Sequence, residues 1–549
     1  MERVSMQDAY VTVAQNPFAG DISLPESYED AIKGPHARQW KAAIKSEIDS
    51  LKERGVFKLV DKANLPSNAN IISAKWVFKV KPKPDGTVER FKCRLCARGF
   101  LQKFGVDYSA TFSPVAHSAT IKLLLAIAAE KKMHLKQADV STAFLYGDLP
   151  KSERVYMHCP PGIKHKKGQV IELRRCIYGL KQASRRWFDK LRKILTSAGY
   201  TATRSDPCLY RRVTEHEETL IAVVVDDLLI ASSTKRGTRR VIKSLARAGL
   251  ATKDLGFPEY IIGMHLKRKR NGDLTLNQEL YIDTLLRRFE MQNAKGVSTP
   301  ADPNVKLSKA LEANSEEDKR KMKARPYRSL VGGLLYTLLT RPDCAVAVNE
   351  LARYLENPGP SMWTAAKRVL RYLKVTKSHC IRFKCKRRRP EEARTSAFVD
   401  SSHADDKDSR RSRCGHLIYY NRSPIHWKTT LQKRKALSTA EAEYRAATCA
   451  AKDVLWLRNL LKEIGRRETK PTRMFEDNAA CIKMVENPVV SGRNKYIELD
   501  CHFVRDHCSM RNIEMRKIDS ERQRADLLTK NLVRPTFERH VSAIMDTTT

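Results

Sequence analysis

The sequence predicts an α+β multidomain fold, and three observations carry that expectation. Strand-like and helix-like segments alternate along the chain, two polar breaks divide it, and its 549 residues exceed one ordinary domain. The alternation opens with Trp40, Ile44, Ile48 and Leu51 at helical spacing, after a start near Tyr28. Strand text follows over 71–80, then a Pro-Asp-Gly turn signal over 84–86, then more strand to Leu95. IKLLLAIAAE (121–130) reads as a buried helix, and 135–140 as a short strand carrying Asp139. Residues 220–230 read as a strand pair interrupted only by Asp226 and Asp227.

The first polar break spans 298–325 and reads as a linker. Helical text resumes over 327–339 and 363–373. The second break, 384–392, holds Lys386, Arg387, Arg388 and Arg389 before Pro390. It reads first as a solvated loop, and second as a nucleic-acid or nuclear-import patch. Beyond it come strands near 397–400, 416–420 and 425–428, a long helix over 439–461, a strand into Asp477, and closing helical text. The expected organisation is an acidic tail (1–27), a first folded part (28–275), a connecting part (276–390), a last domain (391–535) and a tail (536–549).

Charge narrows the function. Lys and Arg number 103 against 62 Asp and Glu, a formal net charge of +41 spread along most of the chain. Such an excess suits a polyanionic partner, because each cation seated on a phosphate releases condensed counterions. The first thirty residues run the other way, with Arg3 against Glu2, Asp8, Asp21, Glu26, Glu29 and Asp30. Thirteen cysteines form no framework and suit a reducing compartment. Cys93 and Cys96 make a CxxC with no second pair at ligand spacing, so zinc is not expected there. No signal peptide and no membrane span is expected.

Two adjacent aspartates inside an apolar strand pair need a reason, since buried charges are normally paired or bound to metal. Asp226 and Asp227 fall where a tight hairpin would turn, and Asp139 ends a second apolar strand. Together they suit two divalent ions roughly 3.5–4 Å apart, the geometry of two-metal phosphoryl transfer. A plain Asp-Asp turn is the simpler reading of the pair alone.

Four motifs, FKCRLCARGF (91–100), QADVSTAFLYGDL (137–149), IYGLKQASRRW (177–187) and VVVDDLLI (223–230), together resemble the reverse transcriptase of copia-type LTR-retrotransposon Pol polyproteins. The resemblance implies a right-hand polymerase of fingers, palm and thumb, with fingers and palm over 28–275. It implies that Asp139, Asp226 and Asp227 bind metal, and that Phe144 excludes a ribose 2′-hydroxyl. Phe144 reads equally well as a core residue. By the same resemblance Gln182 contacts the incoming nucleotide, and Lys92, Arg94 and Arg98 lie where its triphosphate sits, with no choice among them. Val224 departs from the pattern, which usually has Tyr there.

A second carboxylate set follows: Asp400 at a strand end, Glu443 in the long helix, Asp477 after another strand, and Asp526 in QRADLLTK. With SPIHWKTTLQKRKALSTAEAEY (423–444), EDNAACIKMVENP (476–488) and RNKYIELDCHFVRD (493–506), it resembles the RNase H domain that follows copia-type polymerases. The resemblance selects Glu443 over Glu441. Tyr496 stands where His is usual, and Arg413 and Cys414 replace small hydroxyl residues. YRSLVGGLLYTLLTRPD (327–343) and AAKRVLRYLKVT (365–376) match the thumb and connecting segment.

The implied activity is RNA- and DNA-directed DNA synthesis with degradation of the RNA strand of hybrids. The implied cofactor is Mg2+, with Mn2+ as a substitute, two ions per active site. The implied partners are an RNA template, a DNA primer, RNA–DNA hybrid and dNTPs, with the integrase and Gag particle of a parent element. The implied location is a cytoplasmic virus-like particle or the nucleus. A decayed or co-opted copy that binds nucleic acid without catalysis is the second reading. No protease signature, zinc knuckle or integrase zinc site stands in the chain, which therefore reads as a processed product, a truncated insertion or a frame begun at an internal Met.

Overall fold

Trp40, Ile44, Ile48 and Leu51 fall on one face of helix Ala37–Glu53, and all four are buried. That face lies on a hairpin of strands Ala74–Pro82 and Val88–Ala97, where Trp40 meets Phe78 and Phe91 edge-on at 5.1 and 4.7 Å. The computed structural model describes residues 23–82, 88–386, 393–486 and 498–547. The Pro-Asp-Gly turn, most of the basic run and Tyr496 lie outside the described residues. The strand expected over 71–80 is two pieces, Ile71–Ile72 and Ala74–Pro82. They join different sheets, because Ser73 turns its carbonyl to the Arg98 N–H.

The carboxylate hairpin sits in a six-stranded sheet. Its order is Thr252–Gly256, His134–Val140, Asp227–Ser232, Glu217–Val224, Leu209–Thr214 and Thr201–Ala202, each neighbour antiparallel. Helix Ser118–Glu130 contacts this sheet on one side and strand Ser423–Leu431 of the last domain on the other. An all-round apolar helix must be enclosed, and every residue from Ala119 to Glu130 is buried. Its two charged residues are met from across the interface: Lys122 lies 4.0 Å from the ring centre of Trp427, and Glu130 accepts from the Tyr420 hydroxyl at 2.9 Å. Burial pushes the Lys122 ammonium down to about 7.

A small sheet of strands Tyr260–Ile261, Met264–Arg268, Leu274–Asn277 and Ile381–Phe383 leads into a helical region. The boundary expected between 275 and 276 falls inside one of these strands. The segment expected to be a linker contains helix Glu316–Lys323, capped by Ser315, whose hydroxyl accepts from the Asp318 N–H. In this region Arg341 is fully buried. Its guanidinium donates to both oxygens of Asp343 and to the carbonyl and hydroxyl of Thr376, while the Tyr372 hydroxyl donates to Asp343 at 2.6 Å.

The last domain is a mixed five-stranded sheet in the order Ser423–Leu431, Arg413–Tyr420, Thr395–Ser402, Thr472–Glu476 and Ile513–Lys517. The first three are antiparallel and the last two join in parallel. The long helix, Thr439–Glu463, packs on its centre and starts at Ser438, which accepts from the Glu441 N–H. The expected tail over 536–549 is largely a docked helix, Arg534–Ile544. Phe537 and Val541 lie one turn apart on its buried face, Phe537 meets Tyr372, and Asp546 pairs with Cys380 through the backbone.

Removing one member of a buried ion pair strands the other charge. Asp343→Asn is therefore expected to destabilise the chain by about 3–5 kcal/mol, seen as a lower urea midpoint; an unchanged midpoint would show that Arg341 finds other partners.

Candidate active sites

Strand Glu217–Val224 returns as Asp227–Ser232 through a turn whose central residues are Val225 and Asp226. Val225 adopts φ +59°, a left-handed conformation that hairpins of this length usually assign to Gly. A β-branched residue held there stores strain, of the kind that gathers at functional sites. The Trp187 indole donates to the Val225 carbonyl at 2.6 Å, and the Val140 N–H donates to that of Asp226 at 3.0 Å. Asp227 pairs directly with Asp139 on the next strand and accepts from Gln137 at 3.2 Å. The three sequence-predicted aspartates thus share one end of the sheet, each half-buried. Burial raises Asp226, with Asp139 adding to it; burial and Asp226 push Asp227 up to about 6.

The motif residues around the hairpin form one assembly. Ala97 and Tyr178 join backbone to backbone, the Ala97 N–H donating to the Tyr178 carbonyl at 2.8 Å. A Cβ at Gly99 would stand 2.1 Å from the Gly179 carbonyl oxygen, and one at Gly179 (φ +90°) 2.1 Å from that of Ala97. Glycine is needed at both. Lys92 and Arg94 share one strand face, and the charges of both act on Asp226. Arg94 lies 4.1 Å from the Tyr178 ring centre, and Tyr178 meets Phe144 edge-on at 5.0 Å. Arg98 is exposed just past the strand end. Gln182 is fully buried: it donates to the Asp107 carbonyl at 2.8 Å and accepts from Gln102 at 3.0 Å. Both ends of the Gln182 amide are thus engaged in holding the 102–107 turn.

In the last domain Asp400 is buried two residues before the end of strand Thr395–Ser402, Glu443 projects from the long helix, and Asp477 follows strand Thr472–Glu476. One oxygen from each lies within 4.8 Å of the other two. Among the described residues, the Asp139, Asp226 and Asp227 oxygens do not converge to that degree. Asp526 joins through Lys530, whose ammonium sits 2.8 Å from Asp526 and 3.3 Å from Asp400. The Thr529 hydroxyl donates to the other Asp400 oxygen. Burial first, then the charges of Glu476, Asp400 and Asp477, raise Glu443; burial raises Asp400 against the pull of Lys530. Glu441 faces elsewhere, accepting from the Leu437 N–H and pairing with Arg445 at 2.6 Å.

The family model described as reverse transcriptase (RNA-dependent DNA polymerase) matches residues 54–303. The chain is 38% identical over 542 residues to the retrovirus-related Pol polyprotein from transposon TNT 1-94 of Nicotiana tabacum, covering 98% of this chain and 40% of that protein. Against the corresponding polyprotein from transposon RE1 of Arabidopsis thaliana it is 34% identical, covering 97% of this chain and 36% of that protein. A Ty5-1 transposon protein of Saccharomyces cerevisiae is 31% identical over 314 residues, covering 56% of this chain and 98% of its own length. The chain belongs to the copia-type retrotransposon Pol family. This Pol chain thus spans well under half the length of the two plant polyproteins it matches. Among solved structures, the foamy viral protease-reverse transcriptase in complex with double-stranded DNA aligns over 87% of this chain and 70% of its own, at 13% identity and TM-score 0.47.

Both carboxylate sets of the Pol chain fit divalent cations in donor chemistry, since hard oxygens suit Mg2+ and Mn2+. One buried oxygen each of Glu443 and Glu476 has no hydrogen-bond partner. Asp139, Asp226 and Asp227 would hold ions at the hairpin, and Asp400, Glu443, Asp477 and Asp526 at the other set. Sequence reading missed Glu476, Tyr178 and Lys530. Glu476 was accessible to it, because Thr472, Met474 and Glu476 alternate inward at period two.

An ion must displace protons from raised carboxylates, so binding releases protons. Mn2+ affinity is expected to fall as pH is lowered through about 6, where Asp227 protonates; titrations giving one affinity from pH 8 to pH 5 would contradict this.

Proposed function

We propose that this Pol chain is an RNA- and DNA-directed DNA polymerase whose last domain degrades the RNA strand of RNA–DNA hybrids. The observation that carries the reading is the strained hairpin that sets Asp226 and Asp227 beside Asp139 within the family-matched region. Asp139, Asp226 and Asp227 hold two divalent cations, which when bound activate the primer 3′-hydroxyl and neutralise the departing pyrophosphate. Lys92 and Arg94 approach the triphosphate from strand Val88–Ala97, with Arg98 just past its end. Phe144, steadied by Tyr178, stands where the sugar edge passes and excludes a 2′-hydroxyl. Gln182 fixes the 102–107 turn behind them.

In this reading residues 28–275 serve as fingers and palm, 276–390 as thumb and connection, and 391–535 as the RNase H domain. Asp400, Glu443, Asp477 and Asp526 hold the second pair of ions for hydrolysis of the RNA strand. Lys530 neutralises Asp400 and Asp526, a charge that a bound ion would supply in its place. The +41 net charge supports binding of template, primer and hybrid along their phosphates. Integrase, a Gag particle and a cytoplasmic or nuclear site of action belong to the same proposal for the parent element.

Extension of a DNA primer on an RNA template with Mg2+, then Mn2+, tests the polymerase. Product is expected from the chain, and a loss of at least about 100-fold from Asp226→Asn/Asp227→Asn, since charge stabilisation dominates such transfers. Failure to extend with hybrid binding retained would favour the non-catalytic reading. Cleavage of a labelled RNA–DNA hybrid tests the second site: Glu443→Gln is expected to abolish it and leave primer extension intact. Equal cleavage by Glu443→Gln and the unaltered chain would remove Glu443 from the site.

A further inference from the structure

A third cluster of ligand-type side chains lies outside both carboxylate sets. His416 sits on strand Arg413–Tyr420 and His426 on the neighbouring strand Ser423–Leu431. Lys428 is opposite His416 and Ile418 opposite His426, so the two histidines are diagonal neighbours on one face. Asp453, from the long helix above that face, completes the group. His416 Nε2 is 2.9 Å and His426 Nε2 is 3.3 Å from the same atom, Asp453 Oδ2, and all three ligand atoms lie within 4.8 Å of one another.

The two His–Asp separations, hydrogen-bonded as they stand, are close to those between metal ligands. Bonds of about 2.0 Å in a tetrahedron put ligand atoms about 3.3 Å apart. Two imidazoles and one carboxylate suit a borderline transition ion far better than Mg2+. The side chains of His426 and Asp453 are 26% and 27% exposed, so solvent reaches the group, while His416 is buried and fixed. Lys428 also reaches Asp453 Oδ2, at 3.4 Å, but its side chain is 45% exposed and can release to water. Asp453 lies ten residues beyond Glu443, about 15 Å along the helix, so the group is separate from the carboxylate set.

We propose that His416, His426 and Asp453 bind a divalent cation of the Zn2+ class, three protein ligands and one solvent position, clipping the long helix to the sheet. The ligands come from three elements, so binding stabilises the folded domain by mass action. Among the described residues Cys449, one helical turn before Asp453 and hydrogen-bonded to Cys414, is a nearby competitor.

The test uses the full chain, cleared of metal with a chelator and titrated with Co2+. One equivalent is expected to give the strong visible bands of tetrahedral Co2+, displaced by Zn2+ and not by Mg2+. His426→Gln and Asp453→Asn should each weaken binding by more than about 100-fold, beyond what outer-shell changes cause. Both should also lose the Zn2+-dependent rise in Tm seen in the parent. The bands should persist in Asp400→Asn/Glu443→Gln, which separates this site from the nuclease reading. No bands in the parent chain would overturn the proposal. So would bands that survive His426→Gln and vanish in Cys449→Ser.

Discussion

Like charge gathered in a low-dielectric place is the constraint on which both candidate sites depend. Asp400, Glu443, Glu476 and Asp477 approach one another at one end of a sheet, and among the described residues Lys530 is the cation that pairs with Asp400. Unpaired buried carboxylates are costly, and a fold that keeps them must supply a cation or hold protons. The raised proton affinities of Glu443, Glu476 and Asp400 are the protein's resting answer. The hairpin makes the same bargain less severely, with three half-buried aspartates and Lys92 and Arg94 nearby.

The strain and burial this requires are held by contacts from distant parts of the chain. Helix Ser118–Glu130 lies between the two sheets that carry the sites. Around it, Arg466 makes paired bonds to Glu218 at 2.6 and 2.8 Å, and Glu463 accepts from the Arg204 and Ser205 N–H groups. Trp456 donates to the Ser205 carbonyl at 2.9 Å. Glu218 lies on the strand that leads into the Asp226 turn. The polymerase-family region and the last domain are therefore joined by polar bonds, most of them half-buried, as well as by apolar packing.

Much of this was legible in the sequence where a period or a motif carried it. The four-residue spacing of Trp40, Ile44 and Ile48 gave the helix, and the Asp-Asp pair gave the hairpin. What spacing could not give was direction and partnership. Gln182 stands in its motif, yet its amide turns into the 102–107 turn. Arg413 departs from the family pattern, yet it is buried and paired with Glu350 at 3.0 Å, so the departure is built into the domain contact. The helix expected as a tail docks because Tyr372 and Cys380, remote in sequence, wait for it. His416, His426 and Asp453 share no motif and meet only when two strands and a helix assemble.

In the function proposed above, both carboxylate sets hold divalent cations. Crystals of the full chain soaked in Mn2+, with data collected to locate manganese by its anomalous scattering, test it most directly. Density is expected at Asp139, Asp226 and Asp227, and again at Asp400, Glu443 and Asp477. Manganese absent from both places, with the carboxylates still ordered, would contradict it.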